Sequence, residues 1–98
     1  MRRKFTQREV LDILKELGIS MSRDRFRKLE IDGILPSEDL SSTRPRYHLY
    51  YRRTVQKIAF IISKRPSYNK EISKEDIDTA IEKVVNDGMA YNIKTLNY

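Results

Sequence analysis

The spacing of apolar residues predicts a helix near the start of this chain. Thr6-Gln7-Arg8-Glu9 is a capping box, in which the Thr6 hydroxyl accepts from the backbone N–H of Glu9 and the Glu9 carboxylate accepts from that of Thr6. Apolar residues then recur at i, i+3, i+4 and i+7, namely Val10, Ile13, Leu14 and Leu17. Gly18 ends the pattern, because glycine readily adopts the left-handed backbone that closes a helix.

A second helix is predicted after a short turn, capped by Ser20 or Ser22 and reaching about Asp32. At 100° per residue, Phe26 and Leu29 share one side of it. Arg23, Arg27 and Glu30 fall on another side, and Asp24 and Lys28 adjoin them. Arg25 lies near the Leu29 edge and can extend outward. Two helices joined in this way, the second with exposed cations, are typical of a helix-turn-helix, although an ordinary amphipathic helix shows the same pattern.

A hairpin is predicted behind the second helix. Gly33 and Pro36 end that helix, and Ile34-Leu35 forms a short extended piece. After a polar loop, residues 46–51 are rich in aromatics and are predicted to return as the partner strand of Ile34-Leu35. The hairpin tyrosines either pack onto the helices or stack on single-stranded bases. Packing is favoured, because two strands make a poor stacking platform.

Two further helices complete the predicted fold. The third, capped by Thr54, is apolar over a wide arc and ends before Pro66, as expected of a central core helix. The fourth opens at the capping box 73–76 and is predicted to stop at Asn86-Asp87-Gly88. Its apolar face either completes the core, which is favoured, or forms a dimer interface: Ile77, Ala80, Ile81, Val84 and Val85. The tail, 89–98, fits either a strand or a helix.

These elements predict a mainly α fold with a small β-hairpin wing. We predict that the chain is divided into a winged helix-turn-helix domain over residues 1–65 and a C-terminal helical extension over 66–98. The extension either completes the core or mediates dimerisation.

Positive charge is concentrated in the front half of the chain. The whole sequence has 20 Lys and Arg against 14 Asp and Glu, a net charge of +6. Residues 1–53 hold 13 of these cations against 8 acids, and ten of the eleven arginines. The planar guanidinium donates two parallel hydrogen bonds to phosphate or to guanine, which an ammonium group does not. This asymmetry favours a nucleic-acid surface over a merely solvated one.

The residue types that are missing exclude several classes of function. There is no cysteine, so disulfides, thiolate metal sites and thiol redox sensing are excluded, and His48 alone cannot form a His-rich zinc site. The three glycines fall at predicted helix ends, and no nucleophile, base and pocket come together. We therefore predict a non-enzymatic protein with no cofactor. No apolar run is long enough for a membrane span and no secretory signal is evident, so a cytoplasmic, nucleoid-associated protein is expected.

Several short segments, in this order, resemble the MerR-type winged helix-turn-helix. They are Phe5-Thr6, Gly18-Ile19-Ser20, residues 27–36, and then residues 46–50 with Val55 and Ile58, so that the resemblance covers about residues 5–62. It implies a recognition helix in the major groove and a wing on the flanking backbone or minor groove. It also implies a homodimer on a pseudo-palindromic site, often with bending of the DNA.

The resemblance assigns expectations to single positions. Arg27 falls where the family has a DNA-contacting Arg, and Arg25 where it often has Thr. In the wing, His48 falls where the family usually has Arg, and Arg46 where it usually has Gly. Lys28-Leu29 replaces the family's aromatic pair, and the half after Pro66 does not resemble the family, so no small-molecule effector is predicted.

The leading hypothesis is a sequence-specific, double-stranded-DNA-binding protein, in particular a small transcriptional regulator. The alternatives are an excisionase-like or architectural DNA-binding protein, an adaptor whose basic surface meets an acidic protein partner, and an RNA binder. The residues expected to bind DNA are Arg23, Arg25, Arg27 and Lys28 on the second helix; Arg44, Arg46 and His48 on the wing; and, at phosphates, Arg52, Arg53 and the arm Arg2-Arg3-Lys4.

Overall fold

The computed structural model describes residues 4–36 and 49–96, with side chains described as far as residue 87. Its elements run in the order β1 (Phe5–Thr6), α1 (Gln7–Glu16), α2 (Arg23–Ile31), β2 (Leu49–Tyr50), α3 (Arg52–Ser63) and α4 (Lys74–Leu96). Within these ranges the fold is mainly helical with one two-stranded antiparallel sheet. This bears out the mainly α class with a small β component. None of the helices in the described ranges has the length and apolarity needed to cross a bilayer.

Both ends of α1 are built as the sequence predicts. The backbone N–H of Glu9 donates to Thr6 Oγ1 at 3.2 Å, and that of Thr6 donates to Glu9 Oε1 at 3.0 Å. Gly18 has a φ of +84°, and its N–H donates to the carbonyl of Lys15, while that of Ile19 donates to the carbonyl of Leu14. This pair of bonds satisfies carbonyls that would otherwise lack partners at the end of the helix.

The boundaries of α2 also follow from local interactions. Ser22, rather than Ser20, caps the helix, with its Oγ accepting from the N–H of Arg25 at 3.2 Å. At the other end Gly33 has a φ of +79°, and its N–H donates to the carbonyl of Glu30 at 3.1 Å. Both N–H groups that follow, those of Ile34 and Leu35, donate to the carbonyl of Leu29.

The predicted pairing of Ile34-Leu35 with the aromatic strand is wrong. The partner of β2 is β1, with Phe5 opposite Tyr50 and Thr6 opposite Leu49. The N–H groups of Ile34 and Leu35 point back to Leu29 at 3.0 and 3.3 Å, so they end α2 and are not free for a β-ladder. The sheet thus pairs the strand that precedes α1 with the strand that precedes α3.

α4 is longer than the sequence predicts. It opens at the expected capping box, in which Ser73 and Asp76 exchange two hydrogen bonds of 3.1 Å between backbone N–H and side-chain oxygen. However, it continues through Gly88 to Leu96, so the predicted stop at Asn86-Asp87-Gly88 is wrong and the following residues to Leu96 are helical. A glycine inside a helix costs only about 1 kcal/mol relative to alanine, and no proline follows it to block the next turn.

All four helices and both strands contribute to one apolar core. α3 runs through its centre, with Val55, Ile58, Ala59 and Ile62 buried, as predicted. Its N-cap residue is Tyr51, so the predicted cap at Thr54 is wrong: Thr54 lies inside the helix and is buried. α4 covers α1 and α3 with three residues exposed by 4% or less: Ile77, Ala80 and Ile81. The segment after residue 66 therefore shares its core with the first 65 residues.

Polar contacts flank the buried face of α4. Arg52 of α3 lies 3.5 Å from Asp78 and 3.4 Å from Glu82, and Gln56 donates to Asp78 at 2.7 Å. On the side of α1, Lys83 lies 3.1 Å from Glu16. These groups are partly exposed, so each pair contributes little energy, and the rotation of α4 is set mainly by its buried residues.

Candidate nucleic-acid interface

The buried side of α2 is apolar and its outer side is cationic. Phe26 is fully buried and Leu29 is 6% exposed, because the 3.6-residue period brings both to the core. The four cations that the sequence assigned to this helix are all exposed: Arg23, Arg25, Arg27 and Lys28. The helix therefore presents these groups to solvent from a backbone that is anchored on its other side.

Two contacts hold the flanks of α2. On one flank the ring of Tyr50 packs edge-on against Phe26, with centroids 6.2 Å apart, and its hydroxyl donates to Glu30 Oε2 at 2.6 Å. On the other flank Arg25 Nη2 lies 3.5 Å from Ser67 Oγ. At 100° per residue, Arg23 and Arg27 lie next to the Glu30 flank, whereas Lys28 lies toward the Arg25 flank.

The Tyr50–Glu30 contact has a distinct electrostatic character. Burial raises the pKa of Tyr50 far above its ordinary value of 10.0, and the hydrogen bond and negative charge of Glu30 raise it further. The hydroxyl therefore stays protonated and serves as donor to a carboxylate, which accounts for the short bond. Glu30, the acid nearest Arg23 around the helix, is consequently engaged by β2.

The α2 cations have no carboxylate partner within the part of the chain that the structure describes. The ion pairs recorded there join Arg52 to Asp78 and Glu82, and Lys83 to Glu16. Arg23, Arg27 and Lys28 therefore keep their charge available to an external anion.

A second group of cations surrounds one aromatic ring at the start of α3. Arg53 is exposed, and its guanidinium carbon lies 5.8 Å from the centroid of the Tyr51 ring. Lys4 Nζ lies 5.4 Å from the same centroid. Both distances suit cation–π attraction, which orients the two charges without neutralising them. Arg52 differs, because its guanidinium pairs with the carboxylates of α4.

Three predicted wing residues, Arg44, Arg46 and His48, lie outside the described residues, as do Arg2 and Arg3. Their placement stays a prediction. The strand that directly follows residue 48 is β2, and Tyr50 ties it to the Glu30 flank of α2, where Arg23 and Arg27 lie. The segment predicted as a wing thus leads into a strand that is fixed beside two of the predicted DNA contacts.

Sequence reasoning missed two features of this surface. Ile31, on the outer side of α2, is 73% exposed and had no assigned role. A projection at 100° per residue would have found it, because it places Ile31 between Arg27 and Lys28. The cluster of Lys4, Tyr51 and Arg53 could not be found in this way, since it depends on the pairing of β1 with β2.

An open groove of 490 Å³ lies between the C-terminal end of α1, the connector before α4 and the first turns of α4. Its charged lining residues are Glu16, Lys70, Glu71, Asp76 and Lys83. With three acids and two lysines, the lining is not the concentration of cations that a nucleic-acid surface requires. Among the described residues, no three acidic or histidine side chains are grouped so that they could hold a metal ion.

Comparison with known protein families, with curated proteins and with solved structures found no match. The resemblance to the MerR-type domain therefore stays a prediction.

Proposed function

We propose that this protein binds double-stranded DNA as a winged helix-turn-helix, with α2 as its recognition helix. The proposal depends chiefly on one observation: Arg23, Arg27 and Lys28 are exposed, without carboxylate partners among the described residues, on a helix whose opposite side is buried. Two acids adjoin these cations: Glu30 is engaged by Tyr50, and Asp24, on the outer face, forms no ion pair among the described residues.

The dimensions of α2 suit the major groove. Nine residues at about 1.5 Å each give a rod of about 13 Å, and a helix of about 10–12 Å diameter fits a groove about 12 Å wide. Because Phe26, Leu29 and Tyr50 hold the rod in place, little conformational freedom is lost when its arginines meet base edges. Arg27 is the residue to which we assign base recognition, through bidentate bonds to guanine.

Contacts to the DNA backbone are assigned to the cations beside the sheet. Arg53 and Lys4, both held near the Tyr51 ring, would bind phosphates. Arg44, Arg46 and His48 enter the proposal as the wing that the sequence predicts. We leave Arg52 out of the surface, because its guanidinium already has two carboxylate partners.

In its finer form, the proposal is that the protein is a small, nucleoid-associated transcriptional regulator that acts as a homodimer. An excisionase-like or architectural protein would use the same surface, and the choice depends on the DNA target. RNA or single-strand binding through hairpin tyrosines is weaker, since the ring of Tyr50 is fully buried against Phe26 and offers no stacking surface.

Fluorescence anisotropy with labelled random-sequence duplex DNA, single-stranded DNA and RNA, each at several salt concentrations, tests the proposal. We expect preferential duplex binding, with a log affinity that falls linearly with log salt. The double variant Arg23→Ala/Arg27→Ala should show a shallower salt slope for each arginine that contacts a phosphate. On a duplex selected by the wild type from a random pool, it should lose about 1–3 kcal/mol of binding for each arginine that contacts a base.

The charge-matched control is Lys57→Ala/Lys74→Ala, which removes two exposed cations from α3 and α4. It should keep most of the affinity. If the intact protein fails to bind any duplex at low salt, the proposal is wrong and the adaptor hypothesis takes its place. A clear preference for single strands would instead support an RNA or single-strand binder.

A further inference from the structure

The cationic side of α2 carries one apolar side chain. Ile31 is 73% exposed, and among the described residues it is the only large hydrophobic residue that is exposed. It lies four positions after Arg27 and three after Lys28, so the three side chains are neighbours on one face of the helix. This face is opposite Phe26 and Leu29, the buried pair.

The fold does not require an isoleucine at position 31, because its side chain is not packed in the core. The apolar packing at the end of α2 comes from Leu29 and Leu35, which are 6% and 3% exposed. A β-branched residue also slightly disfavours a helix compared with lysine or glutamate, which are common on exposed faces. Single exposed apolar residues are ordinary on protein surfaces, but this one, the last residue of α2, lies between Arg27 and Lys28 around the face that we assign to base recognition.

We propose that Ile31 contacts the C5-methyl group of a thymine in the major groove. This inference rests on the proposed function, and it names one base that the recognition helix selects. The thymine methyl is the apolar feature of the major-groove edge, and apolar side chains contact it directly. A surface that only bound phosphates would gain nothing from an apolar group in this position, because phosphates offer it no partner.

The other side chains of the same face allow such a contact. Asp24 points in nearly the same direction as Ile31, two turns earlier, with Lys28 between them. Seven residues at about 1.5 Å span about 10 Å, which corresponds to about three base pairs at 3.4 Å each. Asp24 stabilises the first turn of α2 and can also accept a hydrogen bond from a cytosine amino group. This face therefore offers a carboxylate, an ammonium group and an apolar group, all of which can contact base edges.

The test begins with selection of a preferred duplex from a random pool by the wild-type protein. Each thymine of that duplex is then replaced, one at a time, by deoxyuridine, which removes only the C5-methyl group. Affinities are measured for the wild type, Ile31→Ala and Ile31→Val, with thermal unfolding to confirm that the variants are folded. Because Ile31 is exposed, these substitutions should leave the unfolding temperature almost unchanged.

We expect one thymine whose methyl group matters, with a loss of about fourfold in wild-type affinity, the factor that corresponds to one buried methyl-sized group. Ile31→Ala should be insensitive to the replacement at that position, while Ile31→Val should keep part of the effect. Duplex binding with no methyl dependence, or a dependence that Ile31→Ala retains in full, would overturn the inference and leave the proposed function intact. Failure to select or bind any duplex would instead overturn the proposed function, and the inference with it.

Discussion

Tyr50 connects the sheet, the core and α2 through a single side chain. Its ring is buried against Phe26, its hydroxyl donates to Glu30 at 2.6 Å, and its backbone pairs with Phe5. An aromatic residue with a polar tip suits this position, because the tip finds a partner at the boundary of the core while the ring fills it. The orientation of α2 therefore depends on a residue that lies on a different element.

Removing the Tyr50 hydroxyl should destabilise the protein. Tyr50→Phe keeps the ring but leaves the half-buried Glu30 carboxylate without its donor, so we expect a loss of about 1–2 kcal/mol in the free energy of unfolding. Urea denaturation measures this loss. The matched control is Tyr51→Phe, which keeps the ring that Lys4 and Arg53 face and should change stability by much less. Equal effects of the two substitutions would mean that the bond to Glu30 contributes nothing.

The same hydroxyl should make stability depend on alkaline pH. The pKa of Tyr50 is raised above its ordinary value of 10.0 in the folded state, so the folded protein holds this proton more tightly than the unfolded chain. Its contribution is fully present below pH 10.0 and is lost as the pH rises further, because only the unfolded state then releases the proton. Urea denaturation at stepped alkaline pH should show a steeper loss for the wild type than for Tyr50→Phe. Parallel curves would contradict the expectation.

The helices show which parts of a fold can be predicted from neighbouring residues. The capping boxes at Thr6 and Ser73 and the glycine ends at Gly18 and Gly33 depend on residues within six positions of each other, and all four form as predicted. The partner of β2 could not be found in this way, because β1 is remote in the chain and the nearby Ile34-Leu35 had equal strand character. At Gly88 the prediction that glycine ends the helix was wrong, because α4 continues through this residue to Leu96.

The two glycines that end α1 and α2 provide a matched pair of substitutions. Both have a positive φ, so alanine at either position should cost about 1–2 kcal/mol in backbone strain. At Gly33 an added Cβ meets open space, whereas at Gly18 it meets the Nζ of Lys70. Lys70 is exposed and its Nζ is the end of a flexible side chain that can move aside, so Gly18→Ala and Gly33→Ala should cost about the same in urea denaturation. A clearly larger cost of Gly18→Ala, relieved by adding Lys70→Ala, would contradict this expectation.

In the whole molecule, the helices that make up the core could be predicted from the sequence better than the contacts of the candidate nucleic-acid interface. The apolar faces of α1, α3 and α4 followed from periodicity, and the exposed cations of α2 followed from the same rule. The pairing of Arg52 with α4 could not, because it requires knowing which side of α3 meets α4. Neither could the position of Lys4 beside Arg53 and Tyr51, which depends on a contact between distant parts of the chain.

A core shared by all elements implies that the protein unfolds as one unit. Ile81→Ala removes a fully buried side chain from α4 and should cost about 2–5 kcal/mol. The transition should be the same when followed by circular dichroism of the helices and by the near-ultraviolet signal of the tyrosines. Thr79→Ala, exposed on the same helix, is the control and should have a small effect. Separate transitions for the two signals would show that the protein does not unfold in one step.

The antiparallel pairing of β1 with β2 has a kinetic consequence. It joins Phe5 to Tyr50, 45 positions apart, so a large loop must close before Tyr50 is in place to hold α2. α2 also places fewer apolar side chains in the core, Phe26 and Leu29, than α3, which buries Val55, Ile58, Ala59 and Ile62. Local opening should therefore begin at α2, and its amide protons should exchange with solvent faster than those of α3. A bound duplex would slow that exchange, so the helix that we assign to recognition should also be the one that reports occupancy.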